Sequence, residues 1–337
     1  MDVMKSLKPK GFSTGVFLFV LLGCLLLYLS PDPLQKMQKS WAWRSQFRLE
    51  QEELVNILKN ASNPNKTVIL TTLNEAWADP GSVMDLFLES FRIGENTSHL
   101  LHNLVIIAMD EKAFKRCKSI HPHCFSLTTP GINFSSEKRF MTPDYLKLMW
   151  RRIDFLHRVL KLGYSFVFTD ADIMWFRDPF PYFDSQDEFQ IACDHYNGKP
   201  RDKGNSANGG FNYVRSSKAT IEFYEYWYMA REWHPKMHDQ SVFEIIKHEP
   251  IVANSGLRIK YFDTMYFGGF CEPSRDLNKV RTMHANCCVG IERKIYDLRL
   301  ILDDWKNFTV LPPEYYERRN IEKGSPWSAP SECKKWS

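Results

Sequence analysis

No C-x-x-C pair occurs in these 337 residues, although the chain holds 8 cysteines. A zinc ribbon and a thioredoxin-type redox site therefore have no basis. A stripe of one charge sign is also lacking: 44 Lys+Arg stand against 40 Asp+Glu, and the two signs are interspersed. Without a run of cations to track a phosphate backbone, the sequence predicts no nucleic-acid partner. Internal repeats and low-complexity tracts are missing too, and the content of large apolar side chains excludes a disordered tail protein, a collagen-like repeat and a coiled coil. Long apolar runs are scarce, and a mean hydropathy of −0.38 excludes a multi-span membrane protein. What is present, 44% hydrophobic and 14% aromatic residues, is enough for a sizeable core of one or two domains.

The one long apolar run is Gly11 to Leu29, which carries no charge. About 19 residues rising ~1.5 Å each span roughly 28 Å, close to the hydrocarbon thickness of a bilayer. Lys5, Lys8 and Lys10 precede the run and favour a cytosolic N-terminus, while Lys36, Lys39, Arg44 and Arg48 on the far side weaken that bias. A cleaved signal peptide is the alternative, but a cut after Ser30 would place Tyr28 where a small residue belongs and Pro31 just past the cut. The expected organisation is a cytosolic tail over residues 1–10, a transmembrane signal-anchor over 11–29, a stem over 30–60 and a lumenal domain over 61–337. Five N-x-S/T triplets, headed by Asn60, Asn65, Asn96, Asn133 and Asn307, agree with a lumenal domain. Cys24 falls in the span, so seven cysteines remain and at least one stays unpaired within the chain; Cys117 and Cys124, flanking a short loop, are the easiest pair.

Past the stem, β-branched and apolar runs alternate with helical stretches. VILTTLN follows Lys66-Thr67, LVIIAMD spans Leu104 to Asp110, FVFT spans Phe166 to Thr169 and QIAC spans Gln190 to Cys193. This alternation predicts an α/β domain with a largely parallel central sheet flanked by helices. Ligands bind beyond the carboxyl ends of such strands. One helix is well marked: Thr142 as N-cap, Pro143 at the first position, an apolar stripe of Leu146, Met149, Ile153, Leu156 and Leu160, and Gly163 as the stop. Lys147 and Arg151 lie four apart on another face of it and read either as a solvated face or as a phosphate clamp.

Asp170-Ala171-Asp172 is the sole D-x-D of the chain, and it follows FVFT directly. Two carboxylates one residue apart at a strand end are tolerable when a cation shares them. Hard divalent ions such as Mn²⁺ or Mg²⁺ take oxygen ligands and bind diphosphates at the same time. A rival reading makes Asp170 the nucleophile of a haloacid-dehalogenase-like phosphotransferase. In that motif a Gly-Thr-like turn follows and the strand opens its domain, whereas here Ile173-Met174-Trp175-Phe176 follow and two strands come first.

FTDADIMWFRDPF (Phe168 to Phe180) and TVILTTLNEAW (Thr67 to Trp77) resemble the plant nucleotide-diphospho-sugar transferases of glycosyltransferase family 77. The resemblance continues, in order, through NGGFNYVR (Asn208 to Arg215), HDQ (His238 to Gln240), FGGFCEPSRDLNKV (Phe267 to Val280) and MHANCCVGIERK (Met283 to Lys294). It implies a Rossmann-like fold of the GT-A type and a metal-dependent enzyme of the Golgi membrane. Such an enzyme moves a pentose or hexose from a UDP-sugar to a wall polysaccharide or glycoprotein, with retention of configuration. A non-catalytic Golgi protein of the same fold would keep these motifs but lack a working metal site.

Carried over residue by residue, the resemblance implies that Thr72, Asn74 and Asp110 touch the nucleotide from the ends of the first two strands. Asp170 and Asp172 would hold the metal and ribose, with His284 as third metal ligand. Lys294 would neutralise the diphosphate, although the His284-to-Lys294 spacing departs from the H-x-x-G-x-x-K of related retaining enzymes. Gly209 and Gly210 would let the backbone approach the sugar. Gln240 would stabilise positive charge at the anomeric carbon, and Asp239 would bind sugar hydroxyls. Trp175 and Phe176 read as core or acceptor wall.

Overall fold

The computed structural model describes residues 33–127, 134–138, 140–312 and 325–333. The chain divides into two compact units, residues 1–54 and residues 55–337. Within the first, residues 33–54 are helical as part of α1 (Pro33–Ala61). The apolar run Gly11 to Leu29 lies outside the described residues, and no helix among those described is long and apolar enough to cross a membrane.

The second unit continues as β1 (Thr67–Leu73), α2 (Glu75–Ala78), α3 (Val83–Ile93), a 3₁₀ turn at Ser98–Asn103, β2 (Leu104–Ala108), α4 (Glu111–Ile120) and β3 (Cys124–Ser126). Next come α5 (Pro143–Lys161), β4 (Ser165–Thr169), β5 (Ile173–Trp175), β6 (Phe189–His195), β7 (Ser206–Val214) and α6 (Lys218–Ala230). The rest is α7 (Asp239–Ile246), α8 (Pro250–Asn254), β8 (Ile259–Tyr261), β9 (Phe267–Gly269), β10 (Thr282–His284) and α9 (Ile291–Phe308).

Seven strands form the main sheet in the order β3-β2-β1-β4-β7-β6-β8. The β3, β2, β1 and β4 strands run parallel, as do β6 and β8, while β7 lies antiparallel between β4 and β6. The sheet is thus mixed and mostly parallel. Both faces of its first half are covered, which is why β2 and β4 are buried at every position, β2 being apolar throughout and β4 apolar from Phe166 to Phe168.

Helix α5 forms as its sequence predicts. The Thr142 hydroxyl accepts from the Tyr145 amide at 3.4 Å, and Pro143 sits in the first turn, where its missing N–H costs nothing. Met149, Ile153, Leu156 and Leu160 are buried, and Gly163, at φ +81°, takes the left-handed conformation that ends the helix.

A second sheet of three strands, β5-β10-β9, decides where the site lies. Chain leaving β4 passes through Asp170–Asp172 and enters β5, which pairs antiparallel with β10 in a register that sets His284 opposite Ile173. The Ala285 amide then donates to the Asp172 carbonyl at 3.0 Å. A histidine far along the chain is brought beside the D-x-D by this pairing. Trp175 and Phe176 are core: both are fully buried, stacked on Phe91 at 4.6 Å and on Trp305 at 4.7 Å. Among the described residues three disulfides are present, Cys117–Cys124 as expected, together with Cys271–Cys287 and Cys288–Cys333, leaving Cys193 free and buried. The last two pin the stretch between His284 and α9 to β9's loop and to the C-terminal segment.

Candidate active site

A cavity of about 470 Å³ opens where β1, β2 and β4 end, within the size range of small-molecule sites. Thr72, Asn74, Asp170, Asp172, His284 and Lys294 all line it. Six of the predicted residues therefore converge on one space.

At its floor, His284 Nε2 lies 3.2 Å from Asp172 Oδ1 and 3.9 Å from Asp170 Oδ2. Among the described residues these three form the sole group of His, Cys, Asp and Glu able to hold a metal, with one ligand atom from each within 4.8 Å of the others. Asp172 Oδ1 is buried and faces only the His284 ring, at 3.2 Å and without good hydrogen-bond geometry. An orphaned carboxylate oxygen of that kind is costly unless something fills the role of a donor. Ligands ~2.1 Å from one ion lie ~3.0 Å apart when cis and ~4.2 Å when trans, and the two spacings from His284 to the carboxylates fall in that range.

The surrounding charges keep the pair unequal. Burial opposes ionisation of Asp172, but Lys294 and His284 outweigh it and hold that carboxyl well below the usual range. Lys294 Nζ lies 2.5 Å from Asp172 Oδ2 and 5.5 Å from the Trp77 ring centre. Asp170 goes the other way: burial pushes its carboxyl up, Arg152 offsets part of this, and the Asp172 charge adds to the rise. Its side chain still keeps 28% exposure at the cavity opening.

Gly210 makes the site possible. A Cβ there would come within 2.5 Å of His284 Cε1 and 2.7 Å of Asp170 Oδ2. Its carbonyl accepts from the Asp170 amide at 2.7 Å, which ties β7 to the D-x-D. Gly209 does something else: its amide donates to Gln240 Oε1 at 3.0 Å, and a Cβ would meet ordinary contacts at 3.8 Å and beyond.

Several expected residues have their side chains engaged elsewhere. Asp110 caps α4, with Oδ1 accepting from the Ala113 amide at 2.9 Å and Oδ2 from the Glu75 amide at 2.7 Å; both oxygens serve backbone, and it does not line the cavity. Asn74 lines the cavity, yet its amide accepts from Trp77 N and donates to the Phe134 and Ser136 carbonyls. Lys147 and Arg151 do not reach the cavity. They pair with Asp144 at 3.4 Å and Asp154 at 2.8 Å on their own helix, because a helix that turns Met149 and Arg152 inward turns 147 and 151 away.

Arg152 is the residue that sequence reasoning missed. It is buried on the apolar stripe between Met149 and Ile153, donating to Asp170 Oδ1 at 2.9 Å and to Asp239 Oδ2 at 2.5 Å. A lone cation inside an apolar stripe was the available signal. Asp239 is thus committed to Arg152: burial opposes its charge, but Arg152 and His238 outweigh burial and hold its carboxyl below the usual range. Asp194 was missed as well. It follows QIAC as Asp170 follows FVFT, and it gathers Asn208 Nδ2 at 2.8 Å, Asn286 Nδ2 at 2.8 Å and Gln240 Nε2 at 3.0 Å. Gln240 is therefore held by both of its polar atoms next to β7.

Comparison with known proteins gives the family. The family described as nucleotide-diphospho-sugar transferase matches residues 99–298. Two uncharacterised Arabidopsis thaliana proteins are similar to the chain. One is 53% identical over 258 residues (76% of this chain, 68% of that protein), the other 38% identical over 253 residues (74% and 76%). UDP-D-xylose:L-fucose alpha-1,3-D-xylosyltransferase 3 of the same plant is 23% identical over 266 residues (69% and 68%). Among solved structures, mouse xyloside xylosyltransferase 1 in its apo form superposes with a TM-score of 0.41 at 13% identity, covering 66% of this chain and 98% of that one. With the family matched over more than half its length, the chain belongs to the nucleotide-diphospho-sugar transferases, and it is a glycosyltransferase.

Proposed function

We propose that the chain transfers a pentose or hexose from a UDP-sugar to a polysaccharide or glycoprotein acceptor, with retention of configuration, using a GT-A-type fold. The carrying observation is the buried, under-satisfied Asp172 oxygen that faces His284 beside Asp170 on the cavity floor. Asp170, Asp172 and His284 would hold Mn²⁺ or Mg²⁺, which when bound would neutralise the diphosphate of the departing nucleotide. The similarity to xylosyltransferases named for UDP-D-xylose supports a UDP-pentose among the candidate donors.

The chain's own groups supply the rest. Lys294 lies in the first turn of α9, whose N-terminus at Gly290 also lines the cavity, so an ammonium and a positive helix end face the same space. Both favour a leaving diphosphate. Thr72 offers a hydroxyl at the end of β1 for the nucleotide. Arg152 neutralises Asp170 and Asp239 together, which lets two carboxylates sit near the donor without a net charge of −2. Gln240, fixed by Gly209 and Asp194, keeps a second lone pair on its oxygen for positive charge developing at the anomeric carbon. We place this chemistry in the Golgi lumen, with residues 11–29 as a type II signal-anchor; the uncharged run and the three disulfides support that placement.

The test is hydrolysis of a panel of UDP-sugars by the purified full chain with Mn²⁺, against EDTA and Asp172→Ala. Metal-dependent turnover of one donor, lost in the variant, is the expected result. Metal-dependent UDP binding without turnover of any donor, with or without acceptor sugars, would favour the non-catalytic reading. Folded protein that binds neither metal nor UDP would refute both.

A further inference from the structure

We infer that the chain is itself N-glycosylated at Asn60, Asn65, Asn96 and Asn307, on one face turned away from the cavity. The inference rests on the lumenal placement proposed above and is independent of the transferase chemistry. Disulfides persist in oxidising compartments, and the three pairs within bonding geometry support that placement. In that setting an exposed asparagine in an N-x-S/T triplet is an acceptor of glycan.

All four asparagines are exposed. Asn60 is in the last turn of α1, Asn65 in the turn just before β1, Asn96 in a left-handed turn at φ +56° after α3, and Asn307 in the last turn of α9. Asn133 lies outside the described residues. The chain segments that carry them are tied together by contacts of nearby residues. Asn103, closing the 3₁₀ turn that follows Asn96, donates to the Ala61 carbonyl beside Asn60 at 2.8 Å. Trp305 donates to the Ile93 carbonyl at 3.2 Å, and Lys306 pairs with Glu89 at 2.7 Å, so the end of α9 rests on the end of α3 just ahead of Asn96.

Distance separates this face from the chemistry. The strands begin there and end at the cavity: Thr67 to Leu73 at about 3.3 Å per residue is about 20 Å. Along α9, Lys294 to Asn307 at about 1.5 Å per residue is also about 20 Å. None of the four is among the residues that line the cavity. Bulky glycans on them leave the mouth open to a large acceptor.

The step is a group transfer. The asparagine side-chain nitrogen forms a bond to C1 of an oligosaccharide carried on a lipid diphosphate; the C1–O bond to that diphosphate breaks, and the amide proton leaves with it. No oxidant or reductant takes part.

The test is mass spectrometry of the full chain made in plant cells, after peptide-N-glycosidase A in ¹⁸O water, which marks each occupied asparagine. Single Asn→Gln variants and thiol labelling of the same samples accompany it. Marks at all four positions are expected, with each variant removing one gel-mobility step and with Cys117, Cys124, Cys271, Cys287, Cys288 and Cys333 unlabelled. Protected cysteines with unmarked asparagines would overturn the inference while leaving the lumenal placement standing. Labelled cysteines and no marks would remove both. A mark at Asn133 alone, or at fewer than the four, would refute the assignment of the face.

Discussion

Two adjacent glycines on β7 make opposite predictions. In Gly210→Ala the added methyl would sit 2.5 Å from His284 Cε1, 2.7 Å from Asp170 Oδ2 and 2.9 Å from Asn208 Oδ1. Ordinary contact begins at 3.4 Å, so the histidine must retreat by 0.9 Å (3.4 − 2.5) and the carboxylate by 0.7 Å (3.4 − 2.7). Neither is free to do so cheaply, since β10 fixes His284 against Ile173 and Arg152 holds Asp170. Metal sites tolerate ligand shifts of only ~0.2 Å. In Gly209→Ala the nearest atoms stand at 3.8, 3.8 and 3.9 Å, and no left-handed φ is involved.

Gly210→Ala is therefore expected to lose at least ~100-fold in UDP-sugar turnover, the effect of about 1 Å of misplacement. The same change should weaken Mn²⁺ binding measured by calorimetry and lower stability by ~1–3 kcal/mol from overpacking. Gly209→Ala is expected to keep turnover and metal affinity within a few-fold. Gly210→Ala that binds metal like wild type, or Gly209→Ala as damaged as its neighbour, would show that the two ligands do not define the site.

Arg152→Met should cost ~3–5 kcal/mol, because it strands the buried Asp239 charge and removes the cation beside half-buried Asp170, whereas Arg151→Ala and Lys147→Ala should change melting and turnover little; parallel thermal melts and UDP-sugar assays decide. Asp110→Ala should cost ~0.5–2 kcal/mol through the lost cap while kcat stays unchanged, and a large kcat loss with intact stability would restore the nucleotide contact inferred from resemblance. His121 is buried, with Nε2 on the Leu104 carbonyl at 2.7 Å, and burial lowers its pKa. Below about pH 6.5 the unfolded chain takes up a proton that the folded chain refuses, so stability should fall as pH drops from there toward the depressed folded pKa. Denaturant melts from pH 7.5 to 5 should show that slope, and His121→Gln should flatten it.

The parts of the fold that were legible are those where local chemistry decides. VILTTLN, LVIIAMD, FVFT and QIAC are buried on both faces, and such strands have few other ways to exist; α5 is fixed by Thr142, Pro143 and Gly163. Strand β7 was not legible, because Asn208-Gly209-Gly210 in its middle carries turn residues. Only the pairing with β4 and β6, which the local sequence does not contain, makes it a strand. Two of the disulfides depend on the same kind of long-range placement: Cys287 and Cys288 are consecutive yet reach opposite ways, to Cys271 and to Cys333.

The site divides along the same line. Asp170 and Asp172 can be found from a strand end alone, but the same rule also selects Asp110 and Asp194, and a strand end does not say what a carboxylate faces. Asp110 meets two backbone amides at the start of helices and is satisfied there. Asp194 meets three side-chain amides and becomes the hub that fixes Gln240. Asp172 meets a lysine on one oxygen and, on the other, only the histidine ring. Sequence position nominates a carboxylate, and the partners that the fold delivers decide whether it caps, positions or binds. Asp172 is the one of these left with unmet capacity on the cavity floor, and that capacity is where the metal hypothesis stands or falls.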